Sequence, residues 1–348
     1  MKNKDTNNNP KNKINTKNIL IASGVAAVTA LAVGAVHHLI AKTLMDVAMD
    51  KKEPKIISKN KEKLMGSAEL SSIMDTVMAA SDEFSAQEHE TVEIESFDGL
   101  RLVGHWFPCE GAERVIVAMH GWRSAWSQDF GIISKFWQEH NCSVLYAEQR
   151  GQGESGGDYM GFGLLERYDC FEWVKWANEN TDPSLPIYLC GLSMGATTVL
   201  MTAGFDLPER VHGIMADCGF TSPHAIWKHV VQNNLHIPYT LYKTAASDLY
   251  KKKLQIDSKE YSCPEALKNC RVPVIFFHGT DDKFVPVTHT YENYKACASE
   301  KRLLIVPGAD HCMSYLLDPK SYTDAAVRFW NDFDKEIPKI ETEAEDEE

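Results

Sequence analysis

The sequence predicts an α/β domain, a mostly parallel sheet with helices on both faces, preceded by one hydrophobic helix. Three observations lead there. Short apolar runs bounded by turn residues alternate with longer helical stretches, the pattern that feeds strand after strand into one buried sheet. A serine stands between two glycines where one apolar run gives way to a helix. Residues 19–41 carry no formal charge.

In chain order, residues 1–18, MKNKDTNNNPKNKINTKN, hold almost no apolar side chains and are expected to be disordered. Residues 19–41, ILIASGVAAVTALAVGAVHHLIA, are long enough as a helix to cross a hydrocarbon core of roughly 30 Å. They exceed the apolar core of about 7 to 15 residues in a cleaved signal peptide. A single transmembrane helix is expected, with His37 and His38 at its interfacial end. Residues 42–88 are largely polar and read as a stalk, so a chain beginning near Lys63 is expected to be soluble and fully active. Lys2, Lys4, Lys11, Lys13 and Lys17 before the span against Lys42, Lys51, Lys52 and Lys55 after it favour an extracytoplasmic domain on a single-pass membrane protein. The nine cysteines pull toward a reducing compartment.

The main domain is expected over residues 89–338. TVEIES and LRLVGHWF flank Asp98-Gly99, a hairpin signal. RVIVAMHG, CSVLYAEQR, PIYLCGLS, HGIMAD, VPVIFFHG and RLLIVPG then read as buried strands, with GFGLLERYDCFEWVKWANEN and TDAAVRFWNDF among the helices between them. Residues 220–271 are too long for a simple crossover. Ile226, Val230 and then Leu241, Ala245, Leu249 keep amphipathic helical spacing there, which suggests a small lid with Trp227, Tyr239 or Tyr242 facing an apolar substrate. Residues 339–348 form an acidic tail, expected to be disordered.

Composition narrows the chemistry. Residues 1–63 hold twelve Lys against five acidic residues, which leaves the remainder strongly negative within the total of −13. An acidic catalytic region does not suit nucleic acid. Neither paired Cys-x-x-Cys, His-Glu-x-x-His nor a Gly-x-x-x-x-Gly-Lys loop occurs, so no metal or cofactor is expected. The cysteines read as buried free thiols, and only Cys263 and Cys270 are close enough in sequence to raise a local bridge.

The serine carries the functional signal. Gly191-Leu192-Ser193-Met194-Gly195 has glycine where a side chain would collide in a tight strand-to-helix turn, the geometry of a nucleophile elbow. A serine hydroxyl needs a histidine to take its proton and a carboxylate to orient that histidine. At an elbow of this kind the chain order is serine, acid, histidine, and the only histidine after RLLIVPG is His311. His289 lies in a helical stretch and reads as exposed. The loop after VIFFHG offers Asp281 and Asp282, and Asp217 after HGIMAD is a further candidate acid.

VIFFHGTDDKFVP resembles the His-Gly-x-x-Asp-x-x-Val-Pro segment of the α/β-hydrolase family, in which the matching aspartate, here Asp282, is the triad acid. VIVAMHGWRS resembles the family's oxyanion segment, and EQRGQGES its Asp-x-Arg-Gly-x-Gly-x-Ser, with Glu148 in place of the first Asp. The resemblance spans Thr91 to about Phe333. It implies an α/β-hydrolase fold with a small helical lid, a Ser193–His311–Asp282 triad, and an oxyanion hole made by the backbone N–H groups of Trp122 and Met194. His120, His278 and Arg150 then read as structural residues. The similarity is to bacterial lysophospholipase, acyl-esterase and serine aminopeptidase-like hydrolases. It implies an enzyme cleaving a carboxylic ester or thioester without a cofactor, and the hydrophobic helix at residues 19–41, read as a membrane anchor, together with the apolar lid tilts the expected substrate toward a small or lipid-like acyl group. The alternatives are a serine peptidase, with Glu154 or Glu166 holding a peptide terminus, and a non-catalytic binding protein on the same frame.

Overall fold

The computed structural model describes residues 34–52 and 68–335. The expected disordered amino terminus, residues 19–33 of the expected span, residues 53–67 of the expected stalk and the acidic tail lie outside the described residues.

A helix over residues 34–49, α1, and a second, α2 (Ala68–Ser85), precede the sheet. β1 (Glu90–Glu95) and β2 (Arg101–Phe107) form the expected hairpin, with Glu95 opposite Arg101 and Gly99 in the turn at φ 83°, a value glycine adopts without strain. The alternating unit follows: β3 (Arg114–Met119), α3 (Trp126–Phe130), α4 (Ser134–Glu139), β4 (Cys142–Ala147), α5 (Glu166–Asn180), β5 (Ile187–Leu192), α6 (Met194–Thr202) and β6 (Val211–Asp217). The long interval holds α7 (Pro223–His229), a π-turn at Val230–Asn234, a 3-10 turn at Tyr239–Leu241, α8 (Lys243–Leu254) and α9 (Cys263–Leu267). β7 (Val274–Gly279), α10 (Thr288–Ala296), β8 (Lys301–Val306), α11 (Ser314–Leu317) and α12 (Pro319–Phe333) complete it. Serine caps start α7 and α9: Ser222 accepts from Ala225 N–H and Ser262 from Glu265 N–H, each with proline in the first turn.

Among the described residues one sheet has the order β1-β2-β4-β3-β5-β6-β7-β8, antiparallel at β1/β2 and β2/β4 and parallel beyond. The parallel strands are covered on both faces, which is why they read as unbroken apolar runs rather than alternating ones. Along β3, Val115, Val117 and Met119 join the core beneath α5 and α6, while Ile116 and Ala118 join the one beneath α12. The α12 stripe of Tyr322, Ala326, Phe329, Trp330 and Phe333 follows helical spacing onto that second face.

The end of the expected span, the stalk and the local disulfide are corrected here. The last eight residues of the expected membrane span open α1, and among the described residues no helix is long and apolar enough to cross a membrane. The expected stalk packs on the domain wherever it is described. Ala41, Met45 and Met49 of α1 recur every four residues and are buried, the two methionines in the core of β3 and α5. Met160 N–H donates to Met49 O at 2.8 Å and Lys51 N–H to Asp158 O at 2.8 Å. From α2, Phe84 stacks on Phe107 at 4.9 Å and meets Trp126 edge-on. The apolar residues here are few and set among Lys, Asp and Ser, so average polarity hides a stripe visible only at helical spacing. The Cys263–Cys270 bridge does not form either: both thiols are free.

Met49 has no exposed surface and lies in the core. Met49→Ala is expected to lower stability by about 2–5 kcal/mol through lost burial and a cavity, read from the urea unfolding midpoint. An unchanged midpoint would mean that α1 does not pack as described.

Candidate active site

The site begins at the β5–α6 turn. Ser193 has φ 56° and ψ −113°, a left-handed backbone that raises its side chain above the sheet edge. Such a turn closes only if the chain passes very near itself. A Cβ on Gly191 would run into the Gly195 carbonyl, and one on Gly195 into the Met119 carbonyl of β3. Ser193 N–H donates to Asp217 O at 2.8 Å and Ser193 O accepts from Thr197 N–H at 3.0 Å, so neighbouring strand and following helix both hold the turn. Met194 is the first residue of α6, where an N–H has no intrahelical acceptor.

The loops after β7 and β8 bring the other groups in. His311 Nε2 lies 2.9 Å from Ser193 Oγ, and His311 Nδ1 lies 2.7 Å from Asp282 Oδ2. Asp282 Oδ1 also accepts from Phe284 N–H at 2.9 Å and Val285 N–H at 2.7 Å. His278, fully buried, sets Nε2 3.1 Å from Asp282 Oδ2 and 2.8 Å from Val285 O, while its Nδ1 meets the Thr290 hydroxyl at 2.7 Å. With Thr290 donating to Nδ1, Nε2–H is shared between the carboxylate and the carbonyl. Burial by itself would raise the Asp282 carboxyl, but the bonds from His278 and His311 and the Val285 N–H outweigh it and hold the group well below the usual carboxylate range.

The proton affinity of His311 rises well above that of an ordinary histidine. Burial opposes this, while negative charge at Cys218 and the Asp282 hydrogen bond favour it. Burial also pushes the Cys218 thiol up, which keeps it neutral, so Asp282 is the partner that sustains the direction. Cys218 and Cys312, with sulfurs 3.6 Å apart, flank the imidazole. Their ligand atoms and that of His311 lie within 4.8 Å of one another, an arrangement with the donor types of a soft-metal site.

The structure thus brings Ser193, His311 and Asp282 together and separates the alternatives. Asp281 is exposed and accepts from the Thr280 hydroxyl. Asp217 is buried, accepts from Ser314 Oγ at 3.3 Å, and is pushed up to about 6 by that burial. His289 is a correction: it is half-buried, takes the Thr221 N–H at 3.3 Å, and falls to about 4 because burial disfavours its charge. His120 is buried, Nδ1–H to Gly121 O at 2.9 Å and Nε2 accepting from Gln149 N–H at 3.2 Å, and so braces the loop after β3. Arg150 bridges Asp169 and Asp98 and joins a loop to α5.

On that loop, Gly121 N–H is already taken by Asp129 Oδ2 at 2.6 Å, and Asp129 Oδ1 accepts from Ser124 Oγ. Trp122, the next residue, lines the space around Ser193. Asp129 positions this loop from α3, and no motif in the sequence singles it out. Nor was Phe284, whose ring lies 5.1 Å from the His311 ring.

Ser193 stands between two cavities. One, about 120 Å³, is enclosed by Phe162, Phe220, Ile226 and Phe284 and by Trp227, Tyr239 and Tyr242, the three aromatic residues expected of a lid. The other, about 680 Å³, is wider and polar in part, reaching His311, Asp310, Lys283 and Asp129. A hydroxyl bonded to an imidazole that is bonded in turn to a carboxylate is the arrangement that makes an alcohol nucleophilic at neutral pH.

Fold and site together define an α/β-hydrolase of the serine hydrolase class. The chain belongs to the prolyl oligopeptidase family, which matches residues 128–333. It is 24% identical over 248 residues to the uncharacterized protein YqkD of Bacillus subtilis, covering 71% of this chain and 81% of that one. Among solved structures it is similar to the Pyrococcus furiosus esterase Pf2001, with a TM-score of 0.59, 21% identity, and 73% of this chain and 94% of the esterase covered. It is also similar to the Pyrococcus horikoshii acylaminoacyl peptidase, with a TM-score of 0.53, 16% identity, and 72% of this chain and 42% of that one covered.

The electrostatics are testable directly. The His311 ring is expected to titrate above the ~6.5 of a free histidine, and Asp282→Asn to lower that value by removing the negative partner. NMR titration of the imidazole reads both, and a value unmoved by the substitution would show that another group controls His311.

Proposed function

We propose that the protein hydrolyses carboxylic esters or thioesters of short to medium apolar acyl groups through an acyl-serine intermediate. One observation carries the reading: Ser193 Oγ opens onto an apolar cavity in whose lining no charged side chain appears among the described residues. The cavity is comparable with an engineered apolar one of roughly 150 Å³ that takes up benzene, which suits a few methylenes rather than a long fatty chain.

With an acyl group in that cavity, Ser193 Oγ attacks the carbonyl carbon while His311 Nε2 takes its proton. The tetrahedral oxyanion receives the N–H groups of Trp122 and Met194. Asp282 keeps the proton of His311 on Nδ1 and balances the imidazolium. His311 then protonates the leaving alcohol or thiol, which departs into the wider cavity. Water enters from the same side and attacks the acyl carbon as His311 takes its proton; His311 then returns that proton to Ser193 Oγ as the acyl–oxygen bond breaks and the acid is released.

A peptidase reading requires a group to hold a charged peptide terminus. Glu154 is exposed, and Glu166 is buried with its carboxylate taken by the Gly161 and Gly163 N–H groups; neither lines the apolar cavity. That favours an ester over an aminoacyl substrate. Membrane attachment through residues 19–33 belongs to the same proposal, supported by their uncharged sequence and by Val36 and Leu39 standing 56% and 63% exposed at the start of α1.

Ser193→Ala is expected to lower kcat on p-nitrophenyl butyrate by about 10⁶, and Asp282→Asn by about 10⁴ through the wrong histidine tautomer. Asp281→Asn should leave it nearly unchanged. Retained turnover in Ser193→Ala, or faster cleavage of aminoacyl p-nitroanilides than of esters by the unaltered enzyme, would overturn the proposal. Butyrate and hexanoate esters should also be cleaved at least about tenfold faster than palmitate, measured as kcat/KM.

A further inference from the structure

We infer that α1 is the wall that sets which acyl chains the site accepts, and that it also braces the loop carrying Trp122. The inference rests on the acyl-hydrolase reading and goes beyond it by assigning selectivity to a segment outside the alternating domain.

Ala41, Leu44, Met45 and Ala48 all line the apolar cavity. Their spacing of three and four residues makes them one face of the helix. The substrate space is therefore enclosed between that face and the rings of the lid, and the side chains at positions 41 and 45 decide how deep it is. Ala41 leaves room, and Met45, buried but flexible, fills part of it.

α1 is fastened by contacts that would be unnecessary for a loose leader. Arg123 donates to Val47 O at 2.7 Å and to Asp50 O at 2.6 Å, carbonyls at the helix end where a cation is favoured. Lys253 of α8 donates to Asp50 at 2.5 Å and pairs with Asp46 at 3.1 Å, tying helix to lid. Trp122 Nε1–H donates to Ala48 O at 2.7 Å. Trp122 and Arg123, neighbours in the loop that lines the cavity beside Ser193, thus grip α1 with their side chains. α1 cannot shift without disturbing the oxyanion loop, and a chain beginning near Lys63 would lose both the wall and the brace, so its expected full activity does not follow.

The test uses the full-length protein in detergent. Labelling rates are measured with alkyl fluorophosphonates from butyl to dodecyl, in which Ser193 Oγ displaces fluoride from phosphorus, alongside p-nitrophenyl esters of matching length. Met45→Ala is expected to raise the long-to-short rate ratio about tenfold and Ala41→Leu to lower it about tenfold. General destabilisation does not move the ratio in opposite directions, and if one variant fails to fold the other decides alone. Unchanged ratios with both probe and ester would overturn the inference and leave the ester reading standing. Shifted probe ratios with no ester cleavage would do the reverse. No labelling by any probe would remove both.

Discussion

The left-handed backbone of Ser193 is the constraint from which the rest of the site follows. A non-glycine residue at φ 56° and ψ −113° is strained by about 1–3 kcal/mol and persists only where its surroundings leave no alternative. Here β5 is locked into the sheet on one side, and α6, with all nine residues buried, is locked into the core on the other. The flanking glycines let the two meet. Once the turn is made, the hydroxyl stands clear of the sheet edge at the open end of α6, so the Ser193 hydroxyl and the Met194 N–H that lacks an intrahelical acceptor arise from one backbone conformation. Arg123, Cys218 and Cys312 are also left-handed, at φ 51°, 48° and 61°, and each adjoins a residue of the site or its lining. Four strained residues thus meet at the site on the packed sheet, while Asn141, His236 and Gln255 hold positive φ elsewhere.

A buried negative charge is the second requirement. Asp282 remains ionised because two backbone N–H groups and two imidazoles converge on it, and its charge in turn raises the proton affinity of His311. This machinery is independent of what is cleaved. An esterase and an acylaminoacyl peptidase share the frame. What distinguishes this chain is the wall of its apolar cavity, lined by residues from the 220–271 interval and by α1.

Much of the frame was legible because it is written in local periodicity. Short apolar runs between turn residues mark strands buried on both faces, and the hairpin at Asp98-Gly99 and the elbow at Ser193 are each specified within a few neighbouring residues. His311 followed from chain order, and Asp282 was separated from Asp281 only by resemblance, since both are one loop residue with the same chemistry. His289 was misread as exposed because a helical pattern does not reveal which strand end it will cover.

What the sequence determined by itself is thus the α/β class, the strand-to-helix turn and the residue types able to do acyl chemistry, because each depends on residues adjacent in the chain or repeating at a fixed period. Tertiary structure alone decided that His311 meets Ser193 across 118 residues, that Asp129 holds the loop before Trp122, and that the Trp122 indole reaches back 74 residues to Ala48. Those contacts follow from how strand ends and helices pack in space, where the partner of a side chain is set by geometry that no local pattern records.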